Sequence, residues 1–404
     1  METENLKLEA ISKNKQLSDN IEDSDYIIVN SCAVTDNAVK KTKSFLKKIK
    51  KQYPGKKVVL TGCAAEMFRE NPPEELDILI SNAGKSSLIK QIDKEESFSD
   101  SISSVQHFEE FSEHLVKDKT RGYLKIQDGC DAFCSYCIIP KLRGKPRSSL
   151  IENVLFKFRN FIENGYKEVV LVGIHIGKYG VDTGSSLKEL LKRISLFDGD
   201  FRVRLSSVEV NEIDDEFIDL MKNNPMFCHH FHIPLQSGSD KILKLMNRKY
   251  DKGTFINTIQ KIKNKLPDAN IGSDVITGFP GEMEKEFEET IETIYDAGVN
   301  YLHVFPYSER KNTKATELKD VVPVPERNRR AKQLRDISES LKFNFAKKYF
   351  GKQIRVLTES NNTGLTDNYL SVKFLEDVHS NIFVNAKVIS ISFDGDIFVT
   401  RVYE

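Results

Sequence analysis

Three cysteines lie within eight residues near the middle of this 404-residue chain. Cys130, Cys134 and Cys137 have the spacing C-x3-C-x2-C, which lets one tight loop bring three thiolates to a common centre. Thiolates are the soft ligands that iron–sulfur clusters require. Three ligands on a four-iron cluster leave one iron open to a substrate or cofactor, so the spacing predicts a catalytic centre.

Structural zinc is the main alternative for this cysteine group. Structural zinc sites usually have four protein ligands, and the next candidate ligand, His175, comes only after a further predicted helix and strand. A thiol–disulfide pair formed by Cys134 and Cys137 would leave Cys130 without a role. The pattern therefore favours an iron–sulfur cluster over both alternatives.

Residues 129–137, with the aromatic Tyr136 directly before the last cysteine, resemble the radical S-adenosylmethionine superfamily. The resemblance implies that the open iron chelates the amine and carboxylate of the methionine. Reduction then splits a carbon–sulfur bond and gives a 5′-deoxyadenosyl radical. The resemblance also implies cofactor contacts for Tyr136 and Gly173, and it identifies no catalytic acid or base. Gln236 follows the predicted strand at His230, at a barrel mouth, where the cofactor or, as the alternative, the substrate base is its expected partner. In such enzymes the cofactors carry the difficult chemistry and the protein positions and shields the radical.

Two further cysteines narrow the resemblance to the methylthiotransferases. In that family an N-terminal domain with a second cluster precedes the radical barrel, and a small RNA-binding TRAM barrel ends the chain. Cys32 and Cys63 each follow a predicted strand. Taken singly, each would more often be a buried small hydrophobe, but the resemblance implies that both ligate the second [4Fe-4S] cluster.

The sequence departs from the family pattern at its start. The family has a third N-terminal cysteine after an opening strand, whereas no cysteine precedes Cys32 here. We therefore expect the opening strand and its cysteine to be missing, through a truncation, a misassigned start or a true loss.

Several runs resemble the family members that convert N6-threonylcarbamoyladenosine, next to the tRNA anticodon, to its 2-methylthio derivative. These runs are 122–131, 173–180, 304–308 and 366–370. The resemblance implies the anticodon stem-loop of tRNA as partner, a separate electron donor and a monomeric enzyme. Enzymes that modify isopentenyladenosine in tRNA or a ribosomal protein remain alternatives. An RNA-binding protein with a structural metal site is the alternative from another class.

The elements that must position these residues fall into three segments. Residues 1–98 are predicted to form an α/β layer domain with a parallel sheet. Residues 117–343 repeat strand then helix, which predicts a partial (β/α)6 barrel with its chemistry at the C-terminal ends of the strands. Residues 344–404 show strand-like alternation and predict a small β-barrel that resembles TRAM. The Ser- and acid-rich stretch 95–113 is expected to be a linker.

Apolar runs give the predicted strands of these segments. The predicted strands are 26–30, 57–61 and 77–80 in the first segment, 122–126, 168–174, 202–206, 230–233, 270–276 and 301–305 in the second, and 353–357, 369–374, 386–392 and 397–402 in the third.

Histidines and basic residues beside these motifs have ordinary interpretations. Of the three histidines after Cys228, only His230 and His232 would share a face of a strand, and core or pocket roles are expected rather than a third metal. Lys141, Arg143 and Arg147 follow the cysteine loop, where they would counter cluster or cofactor charge; exposed basic residues on any loop would look the same.

Composition and charge narrow the classes of function and location that remain open. The 60 basic and 60 acidic residues balance, so nucleic-acid binding finds no support as a property of the whole chain. The lysine-rich stretch 40–57 fits a solvated helix surface as well as a phosphate-binding one. No apolar run reaches the length of a membrane span, and the acidic start is unlike a secretory signal. We expect a cytoplasmic protein.

Overall fold

The computed structural model describes residues 2–110 and 120–402. Its α-helices in these ranges are α1 Glu2–Ser12, α2 Asp36–Gln52, α3 Cys63–Phe68, α4 Leu88–Lys94, α5 Ile139–Arg143, α6 Ile151–Glu163, α7 Leu187–Ile194, α8 Asp215–Asn223, α9 Asp240–Leu245, α10 Lys252–Lys265, α11 Glu284–Ala297 and α12 Val324–Lys347. Its strands are β1 Tyr26–Ser31, β2 Lys57–Gly62, β3 Ile78–Leu79, β4 Arg121–Lys125, β5 Gln127–Asp128, β6 Arg147–Ser148, β7 Glu168–Val172, β8 Arg202–Leu205, β9 His230–His232, β10 Asn270–Thr277, β11 Tyr301–Pro306, β12 Gln353–Glu359, β13 Thr363–Thr366, β14 Ser371–Phe374, β15 Phe383–Ile391 and β16 Ile397–Arg401.

Contacts divide the described residues into two compact units. The N-terminal unit comprises residues 2–110, 127–149 and 308–316, and therefore includes the cysteine loop. The barrel unit comprises residues 120–126, 150–307 and 317–402. The expected division into segments 1–98, 117–343 and 344–404 stays a prediction, and residue 117 lies outside the described residues.

A parallel sheet with the order β1-β2-β3 forms the centre of the N-terminal unit. Val58, Val59 and Leu60 of β2 are fully buried, as expected for a central strand covered on both faces. The Thr35 hydroxyl accepts a hydrogen bond from the Ala38 N–H and so caps α2, which buries one apolar stripe and leaves most of its lysines outside. The predicted α/β layer is confirmed.

Six parallel strands form the partial barrel. They make two three-stranded sheets, with the orders β4-β7-β8 and β11-β10-β9. A single bridge between Val203 and Phe227 continues the pairing from β8 to the segment that leads into β9. All six strands lie within two residues of the predicted ranges, so the (β/α)6 prediction is confirmed.

A closed barrel with the order β12-β13-β14-β16-β15 ends the described chain, as the sequence predicts. The sequence reading missed β13, because this short strand directly follows Asn361 and Asn362, which have positive φ angles of 59° and 55° and read as turn residues. Helix α12 continues to Lys347, four residues beyond the predicted end of the second segment at 343.

The predicted linker 95–113 is partly wrong. Phe98 forms a bridge with Ile80 at the edge of the first sheet, and Ile102 is 4% exposed. The Ile102 N–H also donates to the buried Glu66 carboxylate at 3.0 Å, so apolar burial and a buried hydrogen bond fix a segment whose composition reads as a loop. Residues 111–113 lie outside the described residues. No helix among the described residues is long and apolar enough to cross a membrane.

Candidate metal centre and barrel site

Backbone contacts fix the base of the cysteine loop between β5 and α5. Gly129 has a φ of 77°, and a Cβ atom there would lie 2.0 Å from the Lys145 carbonyl oxygen. The Cys130 N–H donates to the Gly144 carbonyl at 3.0 Å, beside the antiparallel pairing of β5 with β6. Only glycine fits at position 129, since it needs both a left-handed backbone and a close approach to another chain segment.

The loop keeps its thiols accessible. Cys130, Cys134 and Cys137 are all half-buried. A hydrogen bond of 3.0 Å from the Cys137 N–H to the Cys134 carbonyl closes a turn between these two cysteines. Phe133 has a left-handed φ of 47° and a 62% exposed side chain. The half-buried Tyr136 lies in the same loop. Three soft donors on one constrained and accessible loop fit an iron–sulfur cluster with one iron left open.

Strand register brings the two N-terminal cysteines to the same sheet edge. In the β1–β2 pairing, Ser31 lies opposite Gly62, so the next residues, Cys32 and Cys63, leave adjacent parallel strands at the same end. Gly62 has a φ of 89°, and a Cβ atom there would lie 2.6 Å from the Ser31 carbonyl oxygen. Cys32 is exposed and Cys63 is buried. The expected juxtaposition of the two strand ends is therefore present.

Arg143 connects the cysteine loop to Cys63. Its Nε lies 3.2 Å from the Cys63 Sγ, and its Nη1 lies 2.7 Å from Glu2 Oε1 and 3.3 Å from Asp128 Oδ2. Burial lowers the pKa of Arg143, but the negative groups at Asp128, Cys63 and Glu2 outweigh burial and hold the pKa well above its usual value. A permanent cation thus lies beside Cys63, a predicted cluster ligand. The same cation contacts Asp128, which lies two residues before Cys130, the first cysteine of the loop.

Lys85 adds a second buried cation that sequence reasoning missed. It is 2% exposed, forms an ion pair with Glu2, and donates to Asn30 Oδ1 at 3.0 Å. No motif surrounds Lys85, and its partners are distant in sequence, so only the fold reveals it. The other two predicted basic residues have structural contacts: Lys141 donates to the Asn312 carbonyl, and the buried Arg147 donates to the Arg143 carbonyl.

The barrel unit holds the other predicted cofactor residues at strand ends. Gly173 directly follows β7. Gln236 follows β9 with a φ of 63°, while its N–H donates to the Asp274 carbonyl at 2.8 Å. A non-glycine residue held in the left-handed region stores strain of the kind that gathers at functional sites. Both residues lie where a parallel barrel gathers its chemistry.

Acidic residues at the same strand ends were not predicted. The His175 Nε2 lies 2.8 Å from Glu212 Oε1, and a Cβ atom on Gly177 would lie 1.7 Å from Glu212 Oε2. Arg248 pairs with Glu209. His175 follows β7, and Glu209 and Glu212 follow β8, and this position after a barrel strand is the signal by which they could have been found.

Three histidines predicted for core or pocket roles lie on or beside β9. His230 donates to or accepts from the Tyr301 hydroxyl at 2.7 Å, and burial holds its pKa well below the usual value, so its ring is neutral. His229 pairs with Asp268. Cys228 is 1% exposed, and burial raises the pKa of its thiol to about 11, which makes it an inert buried residue.

Two family models match the chain. The model described as the radical SAM superfamily matches residues 124–294, and the model described as uncharacterized protein family UPF0004 matches residues 1–80. Together they cover most of the partial barrel, apart from β11 and the start of β4, and the sheet that carries Cys32 and Cys63.

Curated relatives match over most of their length. The threonylcarbamoyladenosine tRNA methylthiotransferase MtaB of Thermotoga maritima is 37% identical over 83% of this chain and 78% of that protein. The protein of the same name from Aquifex aeolicus is 33% identical over 92% of this chain and 93% of its own. The tRNA-2-methylthio-N(6)-dimethylallyladenosine synthase of Clostridium botulinum is 32% identical over 93% and 89%.

A solved structure supports the fold. The radical S-adenosylmethionine methyltransferase TsrM from Kitasatospora setae, with cobalamin and a [4Fe-4S] cluster bound, matches with a TM-score of 0.54 and 12% identity. The match covers 70% of this chain and 63% of that chain.

Proposed function

The chain belongs to the methylthiotransferase family of radical S-adenosylmethionine enzymes, and from this premise we propose that it converts N6-threonylcarbamoyladenosine in tRNA, next to the anticodon, to its 2-methylthio derivative. The observation that carries the proposal is the 33% to 37% identity to two relatives named for this substrate. We further propose that the enzyme is cytoplasmic and monomeric, that it binds the tRNA anticodon stem-loop, and that it takes electrons from a separate donor.

The three loop cysteines would hold the cluster that a radical S-adenosylmethionine enzyme uses. When bound, this cluster and S-adenosylmethionine supply the 5′-deoxyadenosyl radical. The backbone bonds at Gly129 and Cys130 preorganise the loop, so its thiols need little rearrangement to bind iron. Tyr136, Gly173 and Gln236 are proposed to contact the cofactor.

Cys32 and Cys63 would supply two thiolates to a second [4Fe-4S] cluster. Their adjacency at the end of β1 and β2 supports a shared ligand role. Arg143 donates toward Cys63 and would offset negative charge on a thiolate there. In the overall change, the hydrogen at carbon 2 of the base leaves as part of 5′-deoxyadenosine. A methylthio group would replace it, with the methyl group from a second S-adenosylmethionine and the sulfur atom from a separate donor at the oxidation level of sulfide.

A second substrate has specific support. The relative from Clostridium botulinum is named for dimethylallyladenosine and covers slightly more of this chain than the Aquifex relative does, at 93% against 92%. The Aquifex relative exceeds it in identity by only one percentage point, 33% against 32%, whereas the Thermotoga relative, at 37%, favours threonylcarbamoyladenosine.

Nucleoside analysis tests the substrate. tRNA from a strain that lacks this gene should lose 2-methylthio-N6-threonylcarbamoyladenosine in liquid chromatography with mass detection. The wild-type gene should restore the nucleoside, and a Cys134→Ala gene should not. Loss of the methylthio-dimethylallyl nucleoside instead would assign the second substrate. Unchanged tRNA with loss of methylthiolation on a ribosomal protein would refute a tRNA substrate.

A further inference from the structure

A polar cluster on the sheet β9–β10–β11 has no role in the proposal so far. His232 and Tyr301 both pair with Gly272, and His303 pairs with Asp274 two residues further along β10. Because side chains on a strand alternate between faces, His232, Asp274 and His303 share one face. Their ligand atoms all lie within 4.8 Å of one another.

This shared face is the inner face of the barrel. The alternate residues of β10, Ile271, Ser273 and Val275, are fully buried. On β11, the Leu302 N–H donates to the Ser338 hydroxyl of α12 at 2.9 Å. Helix α12 therefore covers the outer face of these strands, whereas the His303 side chain is 55% exposed on the other face.

Asp274 organises the cluster. Its Oδ1 lies 3.0 Å from His232 Nε2 and 3.5 Å from His303 Nδ1. Burial raises the pKa of Asp274, but the two imidazoles outweigh burial and hold the pKa below its usual range, so the carboxylate is ionised. An ionised carboxylate only accepts hydrogen bonds. It therefore directs the Nδ1 side of His303 toward itself and leaves Nε2 on the far side of the ring.

The polarity of this surface distinguishes the two adenosines. A threonylcarbamoyl group offers urea N–H groups, a hydroxyl and a carboxylate, whereas a dimethylallyl group is purely apolar. An apolar group against His303 would displace water and leave the outer ring nitrogen without a partner, which is unfavourable. A polar substituent would satisfy that nitrogen.

We propose that His303, oriented by Asp274 beside His232, binds the polar N6 substituent of the adenosine and selects threonylcarbamoyl over dimethylallyl. This inference rests on the proposed tRNA substrate and assigns its specificity to one side of the barrel interior. His303 contacts the substituent, and Asp274 is a positioning residue.

Binding of defined RNAs tests the subsite apart from catalysis. Anticodon stem-loops with threonylcarbamoyladenosine, dimethylallyladenosine or adenosine at the same position are titrated against the anaerobic holoenzyme without S-adenosylmethionine. His303→Ala should weaken threonylcarbamoyl binding by about 10- to 100-fold, the range expected for loss of a hydrogen bond to a charged group such as the threonyl carboxylate. Binding of the dimethylallyl RNA should change much less.

Two further variants serve as controls. His303→Gln retains hydrogen-bonding groups and should recover part of the lost affinity. His229→Ala removes a histidine that pairs with Asp268 instead and should leave all three affinities unchanged.

The outcomes separate this inference from the function it rests on. A wild-type enzyme that methylthiolates threonylcarbamoyladenosine, while His303→Ala keeps the wild-type binding ratio, would overturn the subsite alone. A stoichiometric metal ion that His303→Ala loses without a change in that ratio would also overturn it, in favour of a metal site. Failure of the wild type to methylthiolate threonylcarbamoyl tRNA would overturn the proposed function itself.

Discussion

The N-terminal unit and the barrel unit both bury charged side chains, but they enclose them differently. In the N-terminal unit, Arg143 pairs with Glu2 and Asp128 and still places its Nε 3.2 Å from the Cys63 thiol. In the barrel unit, Glu168 is fully buried and is bonded by Arg202 and Arg204. The first network includes a predicted metal ligand, whereas the charged groups of the second are matched mainly to one another.

The barrel network connects strands and the terminal β-barrel. Glu168 on β7 binds Arg202 and Arg204 on β8, and Arg202 also binds Asp367 after β13 at 2.9 Å. Burial raises the pKa of Glu168, but Arg204 and Arg202 outweigh burial and hold it at about 2. The comparison leads us to predict that buried charge supports the proposed second cluster in one unit and the stability of the fold in the other.

The largest expected effects distinguish the two groups of cysteines. Cys134→Ala should abolish both 5′-deoxyadenosine formation and methylthiolation, because the loop then lacks one of its three thiolates. Cys63→Ala should abolish methylthiolation and leave 5′-deoxyadenosine formation in place. Chromatography of both products from the same reaction measures the two effects, and Cys228→Ala in the barrel unit is the matched control. If Cys63→Ala made wild-type amounts of methylthio product, the ligand role of Cys63 would be wrong.

The barrel network should dominate stability. Glu168→Gln leaves the buried Arg202 and Arg204 without their carboxylate and should lower the free energy of unfolding by roughly 3 to 5 kcal/mol. Denaturant unfolding followed by circular dichroism measures this loss. Glu152→Gln breaks an exposed pair with Arg193 and should cost at most about 1 kcal/mol. Equal costs for the two variants would contradict a stabilising role for the buried network.

The low pKa of Glu168 predicts that the free energy of unfolding depends on pH in the acid range. Because the pKa of Glu168 falls from 4.5 to about 2 on folding, its contribution is complete above the unfolded value and is lost as the pH falls toward 2. The full contribution is on the order of 3 kcal/mol. Between about pH 5 and about pH 2, the free energy of unfolding should therefore fall more steeply for the wild type than for Glu168→Gln. Parallel losses would contradict the assignment.

A smaller effect is expected at Arg143. Arg143→Leu removes a cation beside Cys63, so reduction of a cluster there should become less favourable by on the order of 1 kcal/mol. Arg143→Lys keeps the charge and should restore part of the difference. A redox titration followed by electron paramagnetic resonance measures the midpoint potentials. A potential that is the same in all three proteins would show that Arg143 has only a structural role.

Local patterns predicted most of the fold and of the cysteine site. The apolar runs of the six barrel strands are bounded by polar turns, and the cysteines after β1 and β2 follow from the rule that parallel strands end at one edge. Pairings between distant residues were missed, such as Lys85 with Glu2 and Glu168 with Arg202, since no local pattern encodes them. His303 was missed for the same reason, because its partner Asp274 lies on another strand.

Anaerobic iron and sulfide content tests the central claim most directly, with wild type measured beside a Cys130→Ala/Cys134→Ala/Cys137→Ala variant. Two four-iron clusters predict about eight irons per chain, falling to about four in the variant. About four irons falling to none would contradict a second cluster at Cys32 and Cys63. An absence of iron from both proteins would contradict the assignment of radical chemistry to this chain.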